Sequence, residues 1–90
     1  MLQYEITGSF KKDRKLMEKR RKDIKKLRDV MALLISEQSL LPKHENHPLH
    51  GEWKGKWECH VEGDWLLIYE VDATNRRIIF HRTGSHSDLF

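Results

Sequence analysis

The chain has 90 residues, of which 38% are hydrophobic and 34% charged, with a net charge of +3 and one cysteine. This length predicts a single domain over residues 1–90, since chains divide into several domains only beyond ~250 residues, and one cysteine excludes an internal disulfide. No apolar run approaches the ~18 residues of a membrane span, and the N-terminus lacks the basic start and apolar block of a signal peptide. We therefore expect a cytoplasmic protein without membrane contact.

The N-terminal part predicts one strand and two helices. The strand is indicated by three apolar residues that alternate with polar ones, Leu2, Tyr4 and Ile6. We expect it to end at Gly8. The apolar stripe that follows has helical spacing and recurs at Phe10, Met17, Ile24 and Met31. It predicts helices at 9–20 and 23–36, folded as a hairpin and capped by Ser9 and Asp23; one long helix is the alternative.

The C-terminal part predicts a loop followed by three strands. Pro42 and Pro48 bracket the loop, because each disfavours helix in the residue before it. Alternation indicates a strand at 57–62, the run 65–69 is apolar on both faces like a central strand, and 77–82 forms a last strand. The order β-α-α-β-β-β predicts an α+β fold, in which a small antiparallel sheet packs against the helical hairpin.

Basic side chains are concentrated in the segment 11–28, which holds eleven Lys and Arg against three acids. One interpretation is the solvated face of an amphipathic helix. The other is a surface that binds nucleic acid, because each neutralised phosphate releases counterions. Since this charge exceeds what solubility requires, we predict RNA contacts by nine side chains: Lys11, Lys12, Lys15, Lys19, Arg20, Arg21, Lys22, Lys25 and Lys26.

All six histidines lie between residues 44 and 86, together with side chains suited to metal-free RNA cleavage. That reaction needs a base for the 2′-hydroxyl proton, an acid for the leaving 5′-oxygen and a cation for the phosphorane. Histidine suits both proton transfers, and arginine suits the phosphate. His60 and Asp64 flank a predicted turn, Arg82 ends the last strand, His86 follows in the tail, and His47 lies in the loop. These five are the candidate catalytic residues.

Other histidines and aromatic side chains have simpler interpretations. We assign no function to His44, His50 or His81. A zinc site is an alternative because His44, His47 and His50 are spaced by three and Cys59 is available. Pro48 interrupts that segment and no Cys-x-x-Cys is present, so we expect neither a metal nor another cofactor. Trp65 and Phe90 are candidates for stacking on bases, although the sequence alone favours a core position for Trp65, because it lies in a central strand.

Several motifs, in order and at consistent spacing, resemble the YafQ branch of the RelE/ParE toxin superfamily over the whole chain. They are His47-Pro48-Leu49 with Gly51, Trp53-Lys54-Gly55, His60-Val61-Glu62, Asp64-Trp65, Leu67-Ile68-Tyr69, Arg82-Thr83-Gly84-Ser85-His86 and Leu89-Phe90. Two positions depart from the family pattern: Asn46 stands where relatives often have aspartate, and Gly63 where they often have proline.

The resemblance implies a toxin of a type II toxin–antitoxin system. Such toxins are ribosome-dependent endoribonucleases that cleave mRNA in the A site and inhibit translation. The expected partners are a DinJ-like antitoxin, the ribosome and mRNA, with operator DNA contacted only through the antitoxin complex. The alternative is a non-catalytic ParE-like toxin or a nucleic-acid-binding protein of the same fold, which would not require the histidines.

The resemblance also implies roles for individual residues. It places the general acid at His86 and the phosphate-binding cation at Arg82. Asp64, His47 and His60 share the base and transition-state roles, with no division among them. The two aromatic residues, Trp65 and Phe90, would position the nucleotide.

Overall fold

A five-stranded sheet forms the centre of the structure, which is a computed structural model describing residues 1–90. The elements in chain order are β1 (Gln3–Ile6), α1 (Gly8–Lys19), α2 (Ile24–Ile35), β2 (His47–Pro48), β3 (Trp57–Glu62), β4 (Trp65–Asp72), β5 (Arg77–Gly84) and α3 (His86–Leu89). The sheet order is β1-β5-β4-β3-β2. The predicted α+β class and β-α-α-β-β-β order are confirmed, with β2 and α3 as short additions. None of the helices is long and apolar enough to cross a membrane.

One strand pairing differs from the predicted antiparallel sheet. β1 lies parallel to β5, from Gln3 beside Arg77 to Ile6 beside Phe80, whereas β2, β3, β4 and β5 pair antiparallel. A parallel pair needs a long connection between its strands. The helical hairpin and the β3-β4 hairpin supply that connection, so the sheet is mixed.

The helical hairpin is confirmed, and its two N-caps are Thr7 and Asp23. The predicted cap at Ser9 is wrong: α1 begins at Gly8, and the Thr7 hydroxyl accepts a hydrogen bond from the Phe10 amide at 3.0 Å. The Asp23 carboxylate accepts from the Lys25 amide at 3.0 Å and starts α2 as predicted. Between the helices, Arg21 has a φ of 60°, which reverses the chain and rules out one long helix.

β4 separates two apolar clusters because its residues are buried on both faces. Trp65, Leu67 and Tyr69 pack on the side of α1 and α2, in the larger cluster that includes Phe10, Met17, Leu27, Ile78 and Phe80. Leu66 and Ile68 project to the other face, where Leu89 of α3 covers them with Leu49 and Trp53 at the edge. The C-terminal helix is therefore docked by apolar contact with the second face of the sheet.

We predict that Phe80→Ala lowers the free energy of unfolding by about 3–5 kcal/mol. Phe80 is fully buried, with its ring 6.0 Å from that of Phe10 between α1 and the sheet, so truncation leaves a cavity. Urea denaturation measures the change. Phe90→Ala is the matched control, because Phe90 is 58% exposed, and it should cost less than about 1 kcal/mol. Equal losses in the two variants would contradict this assignment of the core.

Candidate active site

Four strands contribute side chains to one row across the sheet. His47 pairs with Glu58, Glu58 with Ile68, and Ile68 with Arg82. Directly paired residues project from the same face of a sheet, so this row starts on the face of Ile68, away from the helical hairpin. Arg82 lies at the open edge of β5, beyond its pairing with β1, and its guanidinium reaches Asp13 of α1. His60 stands on the next row, paired with Leu66. The register thus brings together loop and strand residues that are far apart in the sequence.

The turn between β3 and β4 and the start of α3 meet at one end of this face. Asp64 accepts two hydrogen bonds from His86, from its Nδ1 at 2.6 Å and from its backbone amide at 3.2 Å. Gly63, with a φ of 50°, gives the turn a left-handed backbone that proline cannot adopt. The departure from the family pattern at Gly63 therefore accompanies a turn that aims Asp64 at α3.

The three candidate histidines share one mode of attachment. His47 Nδ1 lies 2.7 Å from the Glu45 carbonyl, and His60 Nδ1 lies 2.8 Å from the Gly63 carbonyl. A carbonyl only accepts, so Nδ1 donates in both. His86 likewise donates from Nδ1, to the Asp64 carboxylate. Each imidazole is therefore anchored through Nδ1, and its Nε2 takes no part in that bond.

The His86–Asp64 pair is electrostatically matched. Its hydrogen bond, assisted by the negative charges of Asp64 and Glu58, raises the pKa of His86, although desolvation opposes this rise. The bonds from the His86 side chain and amide lower the pKa of Asp64. The contribution of His86 to the folding free energy is therefore lost as pH rises through the raised pKa of His86. The contribution of Asp64 is lost as pH falls through the lowered pKa of Asp64. Between these limits His86 is held protonated more strongly than a free histidine.

Glu58, a carboxylate in the middle of the row, is not among the residues predicted from the sequence. Its side chain is only 5% exposed, and its Oε1 lies 3.6 Å from His47 Nε2. Its charge also acts on His86. The signal in the sequence was the β3 alternation, which puts residues 58 and 60 on one face, but nothing local showed that this face carries the site.

Arg82 is held by a partner from α1. Its Nε donates to Asp13 Oδ2 at 2.6 Å and its Nη2 to Asp13 Oδ1 at 3.2 Å, and the same Oδ2 accepts from the Thr83 amide at 3.1 Å. These bonds fix the plane of the guanidinium and leave Nη1 outside the pair. A guanidinium presented in this way can bind a phosphate oxygen.

The two aromatic candidates have different environments. Trp65 is 1% exposed, and its indole donates to the buried Thr83 hydroxyl at 2.9 Å, so the prediction that it stacks on a base is wrong: it is a core residue. Phe90 is exposed, with its ring 6.1 Å from those of His86 and Trp53. Of the two, Phe90 alone presents a ring to solvent beside the candidate acid.

All nine basic side chains predicted to contact RNA are exposed. Three of them have acidic partners: Arg20 binds Asp88, Lys26 binds Glu62 at 2.6 Å, and Lys25 lies 3.7 Å from Asp29. The other six, which make no ion pair, are Lys11, Lys12, Lys15, Lys19, Arg21 and Lys22. The surface of α1 and the following turn is therefore positive.

The alternative zinc site is not assembled. His44 is buried and its Nδ1 accepts from the Leu41 amide, while burial raises the pKa of the Cys59 thiol to about 12. His81 is paired with Glu70 elsewhere on the sheet, and His50 is exposed without a side-chain hydrogen bond. No group of three or more His, Cys, Asp or Glu side chains is arranged to hold a metal ion.

These features describe a small α+β protein in which three histidines, two carboxylates and a guanidinium meet at one face of the sheet. The family model for YafQ, a bacterial toxin of type II toxin–antitoxin systems, matches residues 2–90. The chain belongs to this toxin family, which confirms the resemblance drawn from the motifs.

Known relatives match the chain over nearly its whole length. It is 47% identical over 87 residues to the mRNA interferase toxin YafQ of Escherichia coli K12, covering 96% of this chain and 92% of the relative. A metal-bound toxin from Helicobacter pylori is 41% identical with a TM-score of 0.94 over the full length of both chains. In the E. coli DinJ-YafQ toxin–antitoxin complex, the similar chain is 42% identical with a TM-score of 0.90, covering 100% of this chain and 99% of that one.

We predict that Asp64→Asn lowers the pKa of His86 toward its ordinary value of about 6.5, because the charged hydrogen-bond acceptor is lost. An NMR titration of the imidazole Cε1 proton measures this directly. Glu70→Gln is the control, since Glu70 contacts His81 and not His86. An unchanged His86 titration in Asp64→Asn would contradict the assigned pair.

Proposed function

We propose that the chain is an mRNA interferase that cleaves mRNA in the ribosomal A site by acid–base attack of the 2′-hydroxyl on the adjacent phosphate, and so inhibits translation. The coarse function is supported by membership of the YafQ toxin family and by 47% identity to an mRNA interferase. The mechanism is supported chiefly by one observation, the 2.6 Å bond from His86 Nδ1 to Asp64. That bond occupies Nδ1 and leaves Nε2 of an exposed side chain as the atom that would deliver the proton.

His86 is the general acid of this proposal. It protonates the leaving 5′-oxygen, which requires an imidazolium at neutral pH, and a raised pKa favours that state. Asp64 orients the ring and stabilises its charge. Because the pKa of Asp64 is lowered and its Oδ1 is already occupied, it is poorly suited to act as the base.

His60 is the general base that the geometry favours. Its ring lies 6.2 Å from that of His86, so the two imidazoles can flank one phosphate. Its Nδ1 donates to a carbonyl, which leaves Nε2 as a proton acceptor. His47, with Glu58 behind its Nε2, then stabilises charge in the transition state. This division assigns separate roles that the motifs alone leave shared.

Arg82 binds the phosphate and Phe90 stacks on a base. The Arg82 Nη1, which is outside the pair with Asp13, is the atom that we assign to the phosphorane oxygens. Phe90 has an exposed ring next to His86, and every base offers a face for stacking. Together these residues would fix the nucleotide relative to the acid.

The exposed basic surface would hold ribosomal RNA. Six unpaired cations on and after α1 suit contacts with phosphates, which are sequence-independent and sensitive to salt. The small site would then act only on mRNA that the ribosome has already oriented. Ribosomes and mRNA as substrates would locate the activity in the cytoplasm.

The partner that neutralises the toxin would be a DinJ-like antitoxin. This is supported by the similarity to the toxin chain of the E. coli DinJ-YafQ complex. Operator DNA would be contacted only through the antitoxin complex. The H. pylori relative is a metal-bound toxin, but the side chains of this chain form no group suited to a metal ion, so no step of the proposal passes through one.

We predict that His86→Ala lowers the single-turnover rate of mRNA cleavage on purified ribosomes by about 10²–10⁴-fold, the usual contribution of a general acid. Asp64→Ala should also lose cleavage, because the acid is then no longer oriented. Primer extension measures transcript ends in vitro and after induced expression. His50→Ala is the matched control, as an exposed histidine without a side-chain partner, and should cleave like wild type.

Two outcomes would contradict the proposed nuclease activity. If wild-type induction left growth and transcripts intact, the chain would not be an interferase. If growth stopped with intact transcripts and His86→Ala stopped it equally, the chain would act as a binding-only toxin of the same fold. An mRNA with a 2′-deoxynucleotide at the scissile position is the substrate control and should resist cleavage, because it lacks the attacking hydroxyl.

A further inference from the structure

Asp13 of α1 and Arg20, the C-cap residue that directly follows α1, bind the two segments that carry the proposed cation and acid. Asp13 and Arg20 are seven residues apart, which places them on one face of the helix, about 10 Å apart along its axis. Asp13 binds Arg82 of β5, and Arg20 binds Asp88 of α3. Asp13 lies in the middle of α1 and supplies the carboxylate of its ion pair, whereas Arg20 caps the C-terminus of the helix and supplies the guanidinium of the other pair.

The pair at Asp13 fixes the end of β5. β1 pairs with β5 only as far as Phe80, so the Thr83 amide is at an open edge. Asp13 Oδ2 accepts from that amide and from Arg82 Nε, and its side chain is only 12% exposed. The Asp13 carboxylate therefore fixes both the position of the Thr83 backbone and the orientation of the Arg82 guanidinium.

The pair at Arg20 fixes the start of α3. Both Nη atoms donate to Asp88, at 2.6 and 2.9 Å. Asp88 Oδ2 also accepts from the Ser85 amide and hydroxyl at 2.8 and 2.9 Å, which closes the turn immediately before His86. A Cβ at Gly84 would lie 2.9 Å from the same Oδ2, so the turn is packed closely against this carboxylate. Arg20 and Asp64 line one small cleft beside the site.

We propose that Asp13 and Arg20 are positioning residues, and that α1 acts as a rigid spacer that sets the separation of Arg82 from His86. This inference rests on the proposed function, because it assumes that these two groups act on one phosphate. It also changes the prediction for Arg20. Its guanidinium is occupied by Asp88, so it acts through α3 and not as one more RNA-binding cation.

The test separates positioning from charge. Arg20→Ala should lower kcat for ribosome-dependent cleavage about 10- to 100-fold, since small displacements of catalytic groups have effects of that size, with KM changed less than about twofold. Lys19→Ala removes the same charge from the adjacent residue, which makes no ion pair, and should raise KM while kcat is retained. Asp88→Asn should reproduce the kcat defect, and Arg20→Lys should recover part of it.

A second readout needs no ribosome. In wild type the His86 NMR titration reports its contact with Asp64. We expect Arg20→Ala and Asp88→Asn to shift that titration to lower pH, and Lys19→Ala to leave it unchanged. This result would stand even if the chain proved not to cleave mRNA, so the two proposals fail separately. Thermal unfolding checks that Arg20→Ala is folded. The positioning role is overturned if the folded Arg20→Ala variant matches Lys19→Ala in both the kinetic constants and the His86 titration. If Arg20→Ala does not fold, the same comparison is made with Asp88→Asn.

Discussion

The burial of β4 on both faces is the constraint on which the rest of the structure depends. Five consecutive residues, Trp65–Tyr69, are buried, and a strand of alternating side chains needs a cover on each side. The helical hairpin covers one face. The other face is covered by α3 and by the loop around Leu49 and Trp53. In a 90-residue chain this second cover is small, and it carries the C-terminal His86 and Phe90 onto the sheet.

The candidate site follows from that second cover. Docking α3 through Leu89 puts His86 beside Asp64 at the β3-β4 turn, and the loop brings His47 to the edge of β3. The groups that would do chemistry thus sit at the margin of an apolar contact, where they stay partly exposed. The polar bonds of Asp13 and Arg20 refine positions that apolar packing sets only approximately, because dispersion and burial have little directionality.

Features that depend on local burial could be predicted from the sequence. The helix bounds, the cap at Asp23 and the central strand all come from periodicity or from a side chain bonding its own neighbour. The expectation that His60 and Asp64 flank one turn also used only local order. The cap at Ser9 failed by two positions, since Thr7 has the same capping chemistry and the structure decides between them.

Features that depend on distant partners could not be predicted. Arg82 is 69 residues from Asp13, and Arg20 is 68 from Asp88. The sequence around a basic residue does not indicate which acidic residue it pairs with after folding. The same holds for Glu58, whose role depends on which face of β3 the site occupies. Trp65 was ambiguous for a related reason, because an aromatic residue beside a catalytic motif can serve either the core or the ligand.

The most direct test of the central claim is a chemical rescue of His86→Ala. An mRNA whose scissile 5′-oxygen is replaced by sulfur has a leaving group that departs without protonation, so it no longer needs a general acid. We expect His86→Ala to cleave this substrate on ribosomes at close to the wild-type rate, while it remains defective on the normal mRNA. If the variant were equally impaired on both substrates, His86 would not be the general acid.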